Sequence, residues 1–194
     1  MPVPLRCRCG KAQGCVESVS KFNMHVVCYC DDCRASIHAI GRAEILDEFG
    51  GSELFVTTPS QLRLTAGLEN LRCLRLSERG MLRWYWGCCN TPLANTRSTT
   101  GAPFVSIHRA FIDLSSTDVL GPTRRVQARF AVSPPPPKSE SSHSLATILK
   151  IMVFLLIGRL RGAYKPNPLF VDGIPAVTPR VLSESEHNAL REGE

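Results

Sequence analysis

Two hydrophobic periods run along this chain, one before and one after a run of prolines. Up to residue 132 the apolar positions fall in short stretches, several alternating with polar ones: HVVCYC (25–30), GGSELFVTT (50–58), QLRLTAG (61–67), LRCLRLS (71–77), MLRWYWGCC (81–89), PFVSIHRAFIDL (103–114) and RVQARFAV (125–132). Rich in Val, Leu, Phe, Tyr and Trp and separated by Gly, Pro, Ser or Asn, they predict β-strands. Only ASIHAIGRAEILDEFG (35–50) hints at a helical turn. The expected fold class is mainly β, an antiparallel domain over 1–132 followed by a C-terminal helical extension.

The break is SPPPPKSESS (133–142). Four successive prolines favour an extended polyproline segment and the serines resist packing, so 133–143 reads as a semi-rigid spacer. Beyond it, SLATILKIMVFLLIGRLRG (144–162) has Ser144 as N-cap, no internal proline, and Arg159 and Arg161 near its end. That pattern predicts one helix. Its polar stripe (Thr147, Lys150, Gly158, Arg161) is narrow and is interrupted by Phe154, so most of the circumference needs a cover. The expected cover is the β domain or a second subunit, with an interfacial membrane helix as the alternative. A span takes about 20 apolar residues, more than this stretch offers. In the tail to residue 194, Ser183 and Glu186 fit a capping box for a short terminal helix.

With 194 residues, 43% of them apolar, the chain can bury one good core with an appendage. Its net charge of +6 is mildly basic. RRVQAR (124–129), the densest basic run, has no interleaved aromatics for base stacking and reads as a surface strand, so nucleic acid is not an expected partner.

Nine cysteines change the picture more. The start, MPVPLRCRCG, has no apolar signal region, so the expected location is cytoplasmic, a reducing setting in which clustered cysteines favour metal over disulfides. Cys7 and Cys9 form one close pair, Cys28, Cys30 and Cys33 a triplet, and Cys88 and Cys89 a third cluster. Short spacings let one turn supply two thiolates to a tetrahedral Zn²⁺, so all seven are candidate ligands of one or two zinc ions. Cys15 and Cys73 lack partners at metal spacing and read as ordinary thiols. His25, His38 and His108 read as structural or surface histidines, with Arg34 and His38 the best groups to stand behind the triplet. Asp31 and Asp32 read as turn-formers, and Trp84, Tyr85 and Trp86 as core.

The order Cys7-Arg8-Cys9-Gly10, then Cys28-Tyr29-Cys30-Asp31-Asp32-Cys33-Arg34, then Cys89-Asn90-Thr91-Pro92-Leu93 resembles the glutathione-dependent formaldehyde-activating enzymes and centromere protein V, which share a zinc-containing β-tent fold. FIDLSS (111–116) is similar to the segment after that family's last strand, and the likeness covers about residues 5–120. It implies a closed structural zinc site that uses Cys7, Cys9 and Cys89, and a second zinc on Cys28, Cys30 and Cys33 with a position open to a ligand. Trp86 stands where the family has a cysteine. Three placements are therefore open to Cys88: in the first site, toward the triplet, or free. The implied activity is a carbon–sulfur lyase acting on small aldehyde–thiol adducts. The alternative is a non-catalytic zinc-stabilised module that binds a protein, or a membrane surface through residues 144–162.

Overall fold

A computed structural model describes residues 2–113 and 119–192. Residues 114–116 of the FIDLSS segment lie outside the described residues. A three-stranded antiparallel sheet is built from β1 (Val3–Arg6), β2 (Gln13–Val16) and β5 (Leu62–Ala66) in the order β1-β2-β5. A larger sheet holds β3 (Met24–Cys28), β4 (Ser52–Thr57), β6 (Leu71–Arg75), β7 (Leu82–Trp86), β8 (Thr91–Thr96), β9 (Val105–His108), β10 (Thr123–Val126) and β13 (Arg180–Val181). Its order is β10-β3-β4-β9-β8-β7-β6-β13. The two outermost strands pair parallel and the rest antiparallel, which makes the sheet mixed. A small ladder of β11 (Phe170–Val171) and β12 (Ile174–Pro175) precedes the last edge strand.

Strand alternation sorts the large sheet into two chemically different faces. Phe55, Trp84, Trp86, Val105 and Ile107 point to one face and join Val3, Leu5, Val16 and Leu62 of the small sheet in the main core. The predicted core role of the tryptophans is borne out: both are essentially inaccessible, with Trp86 set 5.5 Å from Phe111 and Trp84 donating through Nε1 to Thr96 Oγ1 at 2.9 Å. The opposite face carries Leu54 and Val56 together with Arg83, Asn95, Ser106 and His108, all buried.

That second face is covered by helices. The first, α1 (Asp31–Ala39), packs Ile37 and Ile40 on Leu74 and Leu76. It begins earlier than the turn expected over 35–50: Cys30 stands at the N-cap position without a side-chain cap bond, and Asp31 and Asp32 lie in its first turn, where the helix dipole favours negative charge. The second, α2 (Leu145–Leu160), lays Phe154 on Met24 and Val56. Ser144 caps it as expected, accepting from the Thr147 amide, and Glu140 secures the same end by accepting from Ser144 N–H and Thr147 Oγ1, both at 2.9 Å. At α3 (Glu184–Glu192) the capping box forms: Ser183 N–H donates to Glu186 Oε2 at 2.9 Å and the Glu186 amide to Ser183 Oγ at 3.2 Å.

Three strand expectations need correction. Of PFVSIHRAFIDL only Val105–His108 is extended, and a 3-10 turn over Arg109–Phe111 follows it. RVQARFAV is not extended to 132: Gln127 takes a left-handed φ of +60°, which ends β10 at Val126, and a 3-10 turn follows. The short strands β1, β2 and β8 are also present; the first two have only four residues each, too few to show a period.

Candidate metal centres

Cys7 and Cys9 stand in the turn after β1, closed by Gly10 N–H donating to Cys7 O at 2.9 Å with Gly10 at φ +78°. Cys88 and Cys89 stand in loop 87–90 between β7 and β8. The two turns meet, and four sulfurs come together: Cys7–Cys9 3.6 Å, Cys7–Cys88 4.0 Å, Cys9–Cys88 3.4 Å and Cys88–Cys89 3.8 Å. Sulfurs at the corners of a tetrahedron around zinc, with bonds of about 2.3 Å, would lie about 3.8 Å apart. The donor set therefore fits a tetrahedral metal ion.

Neighbouring residues in a strand would point apart. Here the loop turns through Asn90, at φ +54°, and both thiols face the same side. Of the placements open to Cys88, the structure takes the first. Polar groups hold the sulfurs in turn: Ala12 N–H donates to Cys7 Sγ at 3.2 Å, and Thr91 Oγ1 lies 3.1 Å from Cys89 Sγ. Burial pushes the Cys89 thiol up, but bonds from Thr91 and the Cys9 amide outweigh it and bring it to about 6.

The triplet is assembled at a strand-to-helix junction. Cys28 ends β3, Cys30 stands at the N-cap position of α1 and Cys33 sits in the helix's first turn, its amide donating to Cys30 O at 3.0 Å. Cys28 and Cys30 sulfurs are 3.3 Å apart and all three lie within 4.8 Å of one another. Cys33 is held well below the usual thiol range by hydrogen bonds from Cys28 and Cys30, helped by Arg83. Cys28 is pushed far up by Cys30, Cys33 and burial, while Cys30, pulled down by Cys28, is driven to about 12 by Cys33 and burial. Three sulfurs this close oppose one another's ionisation, and a divalent cation is the partner that would let all three ionise.

These sulfurs open onto a cavity of about 310 Å³. Its floor is the second face of the large sheet, with Leu54, Val56 and a polar row set by register, in which Arg83 lies opposite Asn95 and Asn95 opposite Ser106. Arg83 Nη1 donates to Cys33 Sγ at 3.7 Å, and Asn95 Nδ2 donates to Ser106 Oγ at 3.3 Å. Its roof comes from the last residue of the spacer, His143, and from Thr147, Ile151 and Phe154 of α2. Among the described residues His143 Nδ1 is buried without a hydrogen-bond partner.

The residues expected behind the triplet lie elsewhere. Arg34 donates to Phe130 O at 2.8 Å and to Asp31 Oδ1 at 3.0 Å, and His38 sits in the last turn of α1; neither lines the cavity. His108 is buried beneath the polar row, between Ser52 Oγ and Asn95 Oδ1, each at 3.4 Å. His25 is held by Glu53 at 2.6 Å. Arg83, Asn95, Ser106 and His143 escaped the sequence reading. The available signal was a polar side chain between apolar ones in RWYW, LANT and VSIH.

The model of a family of unknown function (DUF6151) matches residues 1–179. A crystal structure of a Rhodobacter sphaeroides protein is similar at 21% identity over 62% of this chain and 96% of that one, with a TM-score of 0.44. No curated protein matches.

Proposed function

The chain belongs to DUF6151, and from the geometry of its two thiol clusters we propose that it carries two zinc ions, one structural and one reactive, and acts as a carbon–sulfur lyase on small aldehyde–thiol adducts. The likeness of its cysteine motifs to the glutathione-dependent formaldehyde-activating enzymes supplies the reaction class. One observation carries the reading: the triplet offers three sulfurs where the other cluster offers four, and its open side faces a cavity. Cys7, Cys9, Cys88 and Cys89 are the structural set, closed on all corners. Cys28, Cys30 and Cys33 are the reactive set.

When bound there, zinc would polarise the adduct's oxygen or hold its sulfur, stabilising charge as the carbon–sulfur bond forms or breaks. The chain's own residues do the rest. Three thiolates leave the centre electron-rich, and the Arg83 guanidinium offsets that charge from within the cavity floor. Arg83 and Asn95 both line the cavity and are the floor side chains with N–H groups able to donate to an oxygen of the adduct. His143, with Nδ1 free among the described residues, is the roof group able to accept a proton. Leu54, Val56, Ile151 and Phe154 give the cavity an apolar wall. A reducing, cytoplasmic setting would keep the thiols competent as ligands.

Metal-replete protein offered a panel of aldehyde adducts of glutathione and other small thiols should turn one over, with activity lost in Cys30→Ser and kept in Cys15→Ser. No turnover across the panel, with triplet substitutions indistinguishable from the parent, would contradict the proposal.

A further inference from the structure

Helix α2 is apolar on two opposite sides, and among the described residues only one of them is covered. Its inner side lies on the β strands, with Phe154 packed on Met24 and Val56 and with Gly158 so close to Pro103 that an added Cβ would stand 2.7 Å from Pro103 Cβ. On the outer side Leu145, Leu149, Met152, Leu156 and Leu160 succeed one another at steps of three or four residues, which puts them on one stripe. All five are exposed, Leu145 at 82%, Leu149 at 63% and Leu160 at 78%. Single exposed apolar side chains are ordinary, but a continuous row along a whole helix marks a contact surface.

We infer that this stripe docks on an anionic lipid surface, with α2 lying in the plane of the interface. Charge selects that occupant. From Ser141 to Val171 the chain has no Asp or Glu, while Arg159, Arg161 and Lys165 are cationic; Lys150 lies on the inner side with Thr147. Arg159 flanks the stripe, its head fixed by donation to Gly101 O at 2.9 Å, and Arg161 and Lys165 follow beyond its end. Cations at the rim of an apolar face attract anionic headgroups while the side chains between them enter the acyl boundary. The body of the protein takes the place of the helix's own polar face.

Length sets the orientation. Sixteen helical residues reach about 24 Å, short of a span, and no helix among the described residues is long and apolar enough to cross a membrane. A second copy is a poorer occupant. A stripe about 24 Å long and about 10 Å wide offers a few hundred Å², against roughly 800 Å² per partner in a stable interface. The segment also has no carboxylate to meet the cations of a facing copy.

The test is flotation of the full chain with vesicles of phosphatidylcholine containing phosphatidylglycerol, and with phosphatidylcholine alone, at low and high salt. The protein should float with the anionic vesicles, less so at high salt. A Leu149→Ser/Leu156→Ser variant should bind at least about tenfold more weakly while keeping its far-ultraviolet dichroism and metal content, because both leucines are exposed. The inference is overturned if the parent floats with neither vesicle, or if the variant floats as well as the parent. A parent dimer that the variant converts to monomer, without vesicle binding, would assign the stripe to a second copy instead.

Discussion

Arg83 reaches across from β7 to donate to Cys33 Sγ at 3.7 Å, joining the floor of the cavity to the first turn of α1. Trp84 and Trp86 face the main core, so alternation along β7 sends Arg83 the other way. An arginine this buried, beside three sulfurs, is an electrostatic partner first. Arg83→Met should lower kcat/KM on the productive adduct by roughly 10- to 1000-fold and speed metal loss to a chelator, with Arg83→Lys intermediate in both. Equal rates of metal loss in all three proteins would remove Arg83 from the site.

The roof is set by a close approach at Gly158. A Cβ there would collide with Pro103 at 2.7 Å, so Gly158→Ala must lift α2 or shift the Pro103 loop. The expected cost is about 1–3 kcal/mol. Alkylation of the triplet thiols in metal-free protein should become faster as the cavity opens. Unchanged alkylation would mean that α2 does not govern access to the sulfurs.

His108 supplies a pH signature. Burial holds its imidazole down to about 4, so it is neutral in the fold, whereas the unfolded chain protonates it near 6.5. A depressed histidine contributes stability that is complete above about pH 6.5 and fades as pH falls toward 4, on the order of 3 kcal/mol in all. NMR titration should show one imidazole that does not titrate until about pH 4 and that disappears in His108→Asn. All imidazoles titrating near 6.5 would contradict the burial.

Trp86, which stands where the resemblance has a cysteine, is a packing residue set 5.5 Å from Phe111. Trp86→Ala should destabilise the fold by about 3–5 kcal/mol in thermal or denaturant unfolding. A loss under 1 kcal/mol would mean that the hairpin holding Cys88 and Cys89 needs no support from the core.

The strands from β3 to β7 were legible as short runs of strand-forming residues between turn residues; β5 alternates with a period of two, whereas β4 and β7, buried on both faces, read as nearly continuous apolar runs. The cap at Ser144 and the box at Ser183 and Glu186 were legible because capping chemistry is local. The triplet could be identified from spacing, whereas the joining of the Cys7–Cys9 pair to Cys89 came from the resemblance. The side on which Cys88 falls could not be identified, since it depends on the left-handed turn at Asn90. Nor could the cavity's roof and floor: Arg83, Asn95 and Ser106 meet the triplet through register across β7, β8 and β9, and His143 through the docking of α2, all contacts between segments far apart in the chain.

The central claim, two metal centres with different duties, is tested most directly by zinc stoichiometry. Elemental analysis should be run on protein purified without added metal, on Cys30→Ser and on Cys89→Ser, each alongside an unfolding curve. The account predicts two ions in the parent, one ion and a retained fold in Cys30→Ser, and collapse in Cys89→Ser, where a structural zinc site is lost with its folding energy. One ion in the parent, lost together with the fold in either variant, would contradict it.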